Sequence, residues 1–166
     1  QGRGIPSDIP PEMGFDQEKM LRTLGNVPQS ANKVGLGLME LVRNAPQFAN
    51  LVGSIPYEIG NLNGLISLTL SANTLIGDLP STIGNLSNLQ RLSISQCQLS
   101  GSIPGEIGNL SNLTWVALWQ NNFSGEIPAE LWNLSQLEYL WLGTNPNLTG
   151  GLPESIGSLS NLKALW

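Results

Sequence analysis

The sequence predicts a repeat fold of the α/β class, a solenoid in which short parallel strands of successive coils lie side by side. Three observations predict it. From Gly53 onward the chain repeats one motif with a period of 24 residues. Each copy has leucine-like residues in the spacing LxxLxL, and an asparagine or a cysteine follows three residues later. A single copy cannot bury its own apolar residues, so the copies must stack on one another.

The repeats open at a GxIP-like segment. In order they read GSIPYEIGNLNGLISLTLSANTLI, GDLPSTIGNLSNLQRLSISQCQLS, GSIPGEIGNLSNLTWVALWQNNFS and GEIPAELWNLSQLEYLWLGTNPNLT. The fourth copy, Gly125 to Thr149, has one extra residue around Pro146, and a fifth, GLPESIGSLSNLKALW, is entered through Gly150 and is truncated. Residues 53–166 are therefore predicted to form one solenoid of four repeats and a truncated fifth.

The last three positions of LxxLxL alternate as a strand does, with one side facing inward. We expect parallel strands centred on Leu68–Leu70, Leu92–Ile94, Val116–Leu118 and Leu140–Leu142. Inward-facing amides can satisfy backbone groups where the chain turns away from each strand. The residues in that column are Asn73, Cys97, Asn121 and Asn145. The GxIP proline lacks an N–H donor and favours a short extended stretch on the outer side.

These motifs resemble the plant-type leucine-rich-repeat family, whose repeat reads LxxLxLxxNxLxGxIPxxIGxL. The resemblance covers residues 53–166, about two thirds of the chain. It implies a curved solenoid with a parallel sheet on the concave face and a second short sheet near GxIP. It also implies a binding role, as in receptor-kinase ectodomains, secreted inhibitors of cell-wall-degrading enzymes and some ice-binding proteins.

Residues 1–52 depart from the repeat. They contain five basic and five acidic residues, whereas residues 53–166 contain two basic and seven acidic residues. Two stretches are predicted to be helical, Asp16 to Leu24 and about Ser30 to Arg43. The cysteine-paired cap that is usual in the family is absent from the sequence. We interpret this region as an atypical, partly helical N-terminal cap; the alternative is a docking segment for a partner.

The composition argues against catalysis and against nucleic acid as a partner. Charged residues make up 11% of the chain, its formal net charge is −5 and its pI is near 4.5, so it has little basic surface for a phosphate backbone. No apolar run is long enough to span a bilayer. There is no histidine, which removes the usual general base and metal ligand. We expect no enzyme activity, no cofactor and no metal.

The remaining candidates for chemistry have simpler interpretations. Cys97 lies in the asparagine column, where we expect a buried structural thiol. Glu58, Glu106 and Glu130 recur at one repeat position on the GxIP side, which favours a solvated acidic edge over a catalytic pair of carboxylates.

The residues that alternate with the inward leucines form three columns on the concave sheet. The first column is Ser67, Arg91, Trp115, Tyr139 and Ala164; the second is Thr69, Ser93, Ala117, Trp141 and Trp166; the third is Ser71, Ser95, Trp119 and Gly143. Four of the five tryptophans fall in these columns, and Trp132 replaces the glycine of the other repeats. An exposed aromatic cluster of this size usually marks an interaction site. The alternatives are packing between neighbouring strands, or cover from another segment. The predicted partner-binding residues are Arg91, Trp115, Trp119, Tyr139, Trp141 and Trp166.

Six Asn-x-Ser/Thr sequons lie outside these columns, as glycans should if that face binds a partner. The glycosylation candidates are Asn85, Asn109, Asn112, Asn122, Asn133 and Asn147. Together with the resemblance they indicate an extracellular or secretory location, although the repeat motif NLS creates sequons in any compartment. Asn85 and Asn133 are single sites on the outer turn and are the expected occupied ones.

The sequence thus predicts a recognition module that binds a protein, peptide or glycan through its concave aromatic face. The alternative is a structural accessory subunit of a larger assembly, for example in an organelle lumen. Ice binding is less favoured. Ser67, Thr69, Ser71, Ser93 and Ser95 begin a hydroxyl array, but Arg91 and the tryptophans interrupt it.

Overall fold

The computed structural model describes residues 51–166, in which each coil runs through an outer strand, a 3-10 turn and an inner strand. The helices expected between Asp16 and Arg43 lie outside the described residues. The outer strands are β1 (Val52–Ser54), β3 (Thr74–Asp78), β5 (Gln98–Ser100), β7 (Ser124–Glu126) and β9 (Asn147–Thr149). The inner strands are β2 (Ser67–Thr69), β4 (Arg91–Ser93), β6 (Trp115–Ala117), β8 (Tyr139–Trp141) and β10 (Ala164–Leu165). The 3-10 turns are Tyr57–Asn61, Ser81–Asn85, Gly105–Asn109, Ala129–Asn133 and Glu154–Ser158.

The inner strands form one parallel sheet in the order β2-β4-β6-β8-β10, which is the concave sheet of the solenoid. Leu68 pairs with Leu92, which pairs with Val116. This confirms the predicted parallel stacking. Each of the first four inner strands begins and ends one residue earlier than the predicted segment. The third leucine-like position still bonds to the next coil, since the Leu70 N–H donates to the Ser93 carbonyl at 2.8 Å.

The outer strands form two smaller parallel sheets, β1-β3-β5 and β7-β9. A proline follows each outer strand and precedes each 3-10 turn. Pro56, for example, is extended, with φ of −74° and ψ of 149°. Its missing N–H costs no ladder hydrogen bond at that point, which agrees with the placement of GxIP on the outer side.

The core lies between the inner and outer strands. The inward side chains Leu68, Leu92, Val116 and Leu140 are each 0% exposed. Trp132 is 2% exposed and belongs to the same core, so its large ring is not a surface feature. In the preceding coil the equivalent residue is Gly108, and a Cβ there would lie 2.5 Å from the Cβ of Glu130. Only glycine allows the turns of these two coils to approach so closely.

The asparagine column forms the predicted hydrogen-bond ladder. Asn121 accepts a hydrogen bond from the Leu99 N–H at 3.1 Å and donates from Nδ2 to the Ile94 and Leu118 carbonyls at 2.7 and 3.1 Å. Asn73 and Asn145 bridge neighbouring coils in the same way. Because these groups are buried, the ladder satisfies backbone atoms that would otherwise have no partner.

Cys97 takes the place of asparagine in one coil and corrects an expectation. Its thiol is half-buried and not fully buried, and Sγ lies 3.5 Å from the Leu70 and Ser95 carbonyl oxygens. Burial raises the pKa of the thiol, and the backbone N–H groups of Asn73 and Leu75 oppose that rise. The side chain is shorter than asparagine, so it reaches its partners only with long, weak hydrogen bonds.

Candidate functional site

The concave sheet carries the predicted columns in register. Arg91 pairs with Trp115, and Trp115 pairs with Tyr139. In the second column Ala117 pairs with Trp141. Side chains of paired residues in a parallel sheet project to the same side, so the period-2 prediction that these residues share one face is correct.

Three members of the first column and Lys163, which precedes Ala164 of that column, form a continuous stack that we call the cation–aromatic stack: Arg91, Trp115, Tyr139 and Lys163. The Arg91 Cζ lies 4.7 Å from the Trp115 ring centroid, and the Trp115 and Tyr139 centroids are 4.6 Å apart with planes inclined by 40°. Lys163 Nζ lies 6.0 Å from the Tyr139 ring. Cation–π and tilted ring contacts of this kind stabilise the column, and Trp115 is half-buried within it.

Lys163 is also paired with a carboxylate. Its Nζ lies 2.9 Å from Glu138 Oε2, and this hydrogen bond raises the pKa of the lysine. The positive charge at this end of the cation–aromatic stack is therefore already neutralised by a neighbour.

Trp141 stands beside the cation–aromatic stack. Its ring meets Trp115 edge-to-face with centroids 4.5 Å apart, and it meets Tyr139 in a similar way at 6.3 Å. Ala117 lies on the same face between these rings and is only 2% exposed. The rings therefore cover Ala117. Trp141 itself is half-buried, and part of its surface faces solvent.

A second aromatic pair follows along the face. The Trp119 and Trp166 centroids are 5.6 Å apart, and Trp166 is 60% exposed. The Trp166 indole lies on Gly143, where a Cβ would come within 3.1 Å of the ring. A glycine at this position allows the indole to lean toward Trp119.

The two coils before the aromatic residues present hydroxyls instead. Ser71 Oγ and Ser93 Oγ are 2.9 Å apart, and the Ser95 N–H donates to Ser71 Oγ at 2.9 Å. Ser95 is only 1% exposed, so it does not contribute to the open face as its column predicted. The concave sheet thus has a hydroxyl half on β2 and β4 and an aromatic half on β6, β8 and β10.

The acidic column lies elsewhere. Glu106 and Glu130 are exposed in their 3-10 turns and Glu58 is half-buried, which agrees with a solvated edge. Among residues 51–166, no group of histidine, cysteine, aspartate or glutamate side chains could hold a metal ion. In the same part of the chain, no helix has the length and hydrophobicity that a membrane crossing requires.

All six sequon asparagines are exposed and lie outside the concave columns. Three of them use their side-chain amides in the structure, two as donors and one as an acceptor. Asn112 Nδ2 donates to the Ser87 carbonyl at 2.8 Å, and Asn147 Nδ2 donates to Asn122 Oδ1 at 2.9 Å. Asn85 and Asn133 each end a 3-10 turn.

The Leucine Rich Repeat family matches residues 64–86, 88–110 and 112–134. No match was found among curated proteins. Among solved structures, the plant peptide hormone receptor RGFR1 in complex with RGF2 is 36% identical with a TM-score of 0.69, over 76% of this chain and 20% of that one.

Two further structures are similar. The ectodomain of the receptor kinase GASSHO1/SCHENGEN3 from Arabidopsis thaliana, in complex with CASPARIAN STRIP INTEGRITY FACTOR 2, is 38% identical with a TM-score of 0.71, over 76% of this chain and 16% of that one. A plant ice-binding protein is 32% identical with a TM-score of 0.63, over 72% of this chain and 40% of that one. The chain thus spans a fifth or less of the two receptor ectodomains.

The repeat period, the stacked parallel strands, the asparagine ladder and these likenesses agree: the chain belongs to the plant-type leucine-rich-repeat family.

Proposed function

We propose that this chain is a recognition module of a receptor-like extracellular protein and that it binds a protein or peptide through the aromatic half of its concave sheet. The observation that carries the proposal is the position of the rings. Trp119, Trp141 and Trp166 lie on a face that the leucine core does not need, and each keeps part of its surface open to solvent. Large aromatic side chains of this kind are the usual anchors of protein interfaces.

The rings do not contribute equally. Trp115 contacts Arg91, Tyr139 and Trp141, so we assign it mainly the role of fixing its neighbours. Trp141 is held by edge-to-face contacts and is therefore presented to a partner in a fixed orientation. Preorganised anchors lose little side-chain entropy on binding, which increases affinity.

The similar structures support the class of ligand. RGFR1 is in complex with RGF2, and GASSHO1/SCHENGEN3 is in complex with CASPARIAN STRIP INTEGRITY FACTOR 2, so receptors of this fold bind peptide hormones and proteins. We carry that class over to this chain, together with an extracellular location. Tilted rings with interplanar angles of 40° to 74° offer no single flat platform, which favours an irregular peptide surface over a stacked sugar.

The other readings of the sequence have less support. The ice-binding protein shares the fold, but in this chain the hydroxyls occupy only part of the concave sheet and Arg91 stands among them. A structural subunit of an assembly would also use the aromatic face as a contact, but it would stay bound to one partner and would not exchange ligands.

For residues 1–52 we propose a capping role. The inward side chains of the first described coil are well covered: Ile55 is 5% exposed and Leu68 is 0% exposed. In the last coil the equivalent Leu152 and Leu165 are 61% and 39% exposed. A solenoid end needs cover for such leucines, which supports a cap before the first coil.

In the experiment, the whole chain is used to select binders from a library of displayed random peptides. The selected peptides are then titrated into the protein by calorimetry. Trp141→Ala should weaken the selected peptides by about 30-fold, since central anchors contribute about 2 kcal/mol or more. Tyr57→Ala is the control, because Tyr57 is 69% exposed but lies in a 3-10 turn outside the concave columns. Trp132 does not serve as a control, since removal of a buried tryptophan costs about 3–5 kcal/mol of folding stability.

A thermal melt of the same variants separates binding from folding. Trp141→Ala loses two ring contacts worth about 0.5–1.5 kcal/mol each, so its stability should fall by about 1–3 kcal/mol and the protein should stay folded at room temperature. If the folded Trp141→Ala protein binds the selected peptides as tightly as the parent, the concave aromatic face is not the binding site. If no peptide is selected and the protein instead binds sugars on an oligosaccharide array, the proposed ligand class is wrong.

A further inference from the structure

We propose that Asn63 is a site of spontaneous isoaspartate formation that the native fold leaves reactive, and that the product loosens the start of β2. The residue lies between the first 3-10 turn, Tyr57–Asn61, and the strand β2, Ser67–Thr69. The inference is independent of the proposed function, because it concerns the chemistry of one peptide bond in the first described coil.

The first support is the sequence at this point. Asn63 is followed by Gly64, and this is the one Asn-Gly pair in the chain. Glycine has no Cβ, so nothing shields its backbone nitrogen from the side chain that precedes it. In the other coils the same two positions are Ser-Asn or Ser-Gln: Ser87-Asn88, Ser111-Asn112, Ser135-Gln136 and Ser160-Asn161. The first coil therefore joins a carboxamide to an unhindered backbone nitrogen, which the other repeats do not.

The reaction needs only these two residues and water, and asparagine is among the thermally labile residues for this reason. The Gly64 nitrogen loses its proton and attacks Asn63 Cγ. A C–N bond forms, the bond from Cγ to Nδ2 breaks, and Nδ2 takes up the proton and leaves as ammonia. One water molecule then opens the succinimide ring. Cleavage at Cγ gives aspartate, whereas cleavage at the main-chain carbonyl gives isoaspartate, whose backbone runs through Cβ and Cγ.

The second support is that the fold leaves both reacting groups accessible. Asn63 and Gly64 are exposed, and a shallow surface depression is lined by residues 61–65, so water reaches the peptide bond. Within residues 51–166, neither the Asn63 side chain nor the Gly64 N–H makes a hydrogen bond. A Cβ added to Gly64 would have no atom within 4 Å, so the space beside the attacking nitrogen is open.

The third support is a hydrogen bond to the same peptide group. Asn88 Nδ2 in the next coil donates to the Asn63 carbonyl oxygen at 2.7 Å. When the Gly64 nitrogen loses its proton, amide resonance shares the negative charge with that oxygen. A donor at the oxygen stabilises this anion, since hydrogen bonds to charged acceptors are the stronger ones. The contact that joins the two coils therefore also favours the first step of the reaction.

The product changes the segment that leads into the concave sheet. The Leu65 N–H donates to the Leu62 carbonyl at 2.9 Å, and isoaspartate adds one backbone carbon inside the turn that this bond closes. The next carbonyl, that of Ile66, accepts the Gln90 and Arg91 N–H groups at 2.8 and 3.2 Å. These two bonds lie where β2 joins β4. Isoaspartate at position 63 should therefore weaken the pairing at this end of the sheet.

The test follows the reaction in the folded chain and in the same chain unfolded in guanidinium chloride. Both are kept in mildly alkaline buffer at body temperature. Peptide mapping by mass spectrometry locates the exchange of an amide for a carboxylate, and a purified isoaspartyl methyltransferase with labelled methyl donor counts the isoaspartate. In the folded chain, we expect Asn63 to react at least ten times faster than any other asparagine. Its rate should lie within ten times of the rate in the unfolded chain.

Two matched variants assign the reaction to this pair. Gly64→Ala puts a methyl group into open space, and Gly64 does not have a positive φ, so the variant should fold like the parent. It should react at least ten times more slowly, because the methyl group hinders the nitrogen. Asn63→Ser introduces the residue of the next coils and should remain unmodified at this position. The melting curve of each variant shows that it is folded.

The effect on the sheet is measured by amide hydrogen exchange on the isoaspartyl form, separated from fresh protein by chromatography. The Gln90 and Arg91 N–H groups should exchange at least ten times faster than in fresh protein. The control is the equivalent pair two coils further, the Glu138 and Tyr139 N–H groups on the Thr114 carbonyl, whose exchange should be unchanged.

Three results would overturn the reactive site. They are a reaction that occurs only in the unfolded chain, another asparagine that reacts as fast in the folded chain, or a rate that Gly64→Ala leaves unchanged. Equal exchange of the Gln90 and Arg91 N–H groups in the fresh and isoaspartyl forms would overturn the loosening of β2.

Discussion

Replacement of Cys97 by asparagine should stabilise the protein, because this coil lacks the amide that bridges its neighbours. In the adjacent coil Asn121 makes three hydrogen bonds of 2.7 to 3.1 Å to backbone groups. Cys97 Sγ makes two contacts of 3.5 Å instead. A thiol is a weak donor, whereas an amide carries two good donors and a good acceptor.

The magnitude follows from these contacts. Each ordinary hydrogen bond that replaces a weak one contributes about 0.5–1.5 kcal/mol net. Two such replacements, less some cost for fitting a larger side chain, give a gain of about 1–2 kcal/mol for Cys97→Asn. For a chain of this size that raises the melting temperature by about 2–8 °C.

The reciprocal variant is the control. Asn121→Cys puts the weak donor into a coil with a full amide ladder, and each poorly satisfied buried backbone group costs about 1–3 kcal/mol. We expect Asn121→Cys to lose at least about 2 kcal/mol. Both variants are measured by calorimetry and urea unfolding in the presence of a reductant, and an unchanged m-value shows that stability alone has changed. If Cys97→Asn melts at or below the parent while Asn121→Cys is tolerated, the ladder does not contribute as argued.

Two further predictions concern the coil contacts and the outer turns. Gly108→Ala places a Cβ 2.5 Å from the Glu130 Cβ and 2.8 Å from the Glu130 carbonyl oxygen, so the free energy of unfolding in urea should fall by about 1–3 kcal/mol. The control is Gly157→Ala, at the same repeat position with no atom within 4 Å, which should be neutral. Equal losses in the two variants would argue against close stacking of the turns. Asn85 and Asn133 end turns that lie two coils apart, about 10 Å by strand spacing. Both should carry glycans in protein made through a secretory pathway. The intact mass before and after glycosidase treatment measures their occupancy. A bare polypeptide mass would count against that route.

Most of the fold could be predicted because the same residue pattern recurs in every repeat. The 24-residue period fixes which residues of neighbouring coils pair, and the pairing of Arg91 with Trp115 and Tyr139 is the one that the alignment predicts. The asparagine ladder was predictable for the same reason. The short helical elements were not, since five-residue 3-10 turns between a proline and a leucine leave little periodicity to detect.

The features that the sequence did not predict depend on distances between coils. Trp132 aligns with the glycine column, and the alignment does not show that the space there admits an indole that is 2% exposed. Ser95 belongs to an outward column but is 1% exposed. Likewise the period gives no reason for the Arg91 guanidinium to lean toward Trp115 instead of Ser67; the ring contact decides it.

One physical coincidence connects the repeat with the site. Neighbouring strands of a sheet lie about 4.8 Å apart, which is close to the separation that aromatic rings and cation–π pairs prefer. Rings and cations in one column of adjacent coils are therefore brought within stacking distance. The register places Arg91 beside Trp115 and Trp115 beside Tyr139, and the contacts are 4.7 and 4.6 Å. A stacked ring has its faces occupied by its own column. Trp141 stands one column aside and meets Trp115 with ring planes inclined by 70°, and because it is only half-buried it retains surface that a ligand can contact. For that reason Trp141, and not the more central Trp115, is the residue whose removal tests recognition.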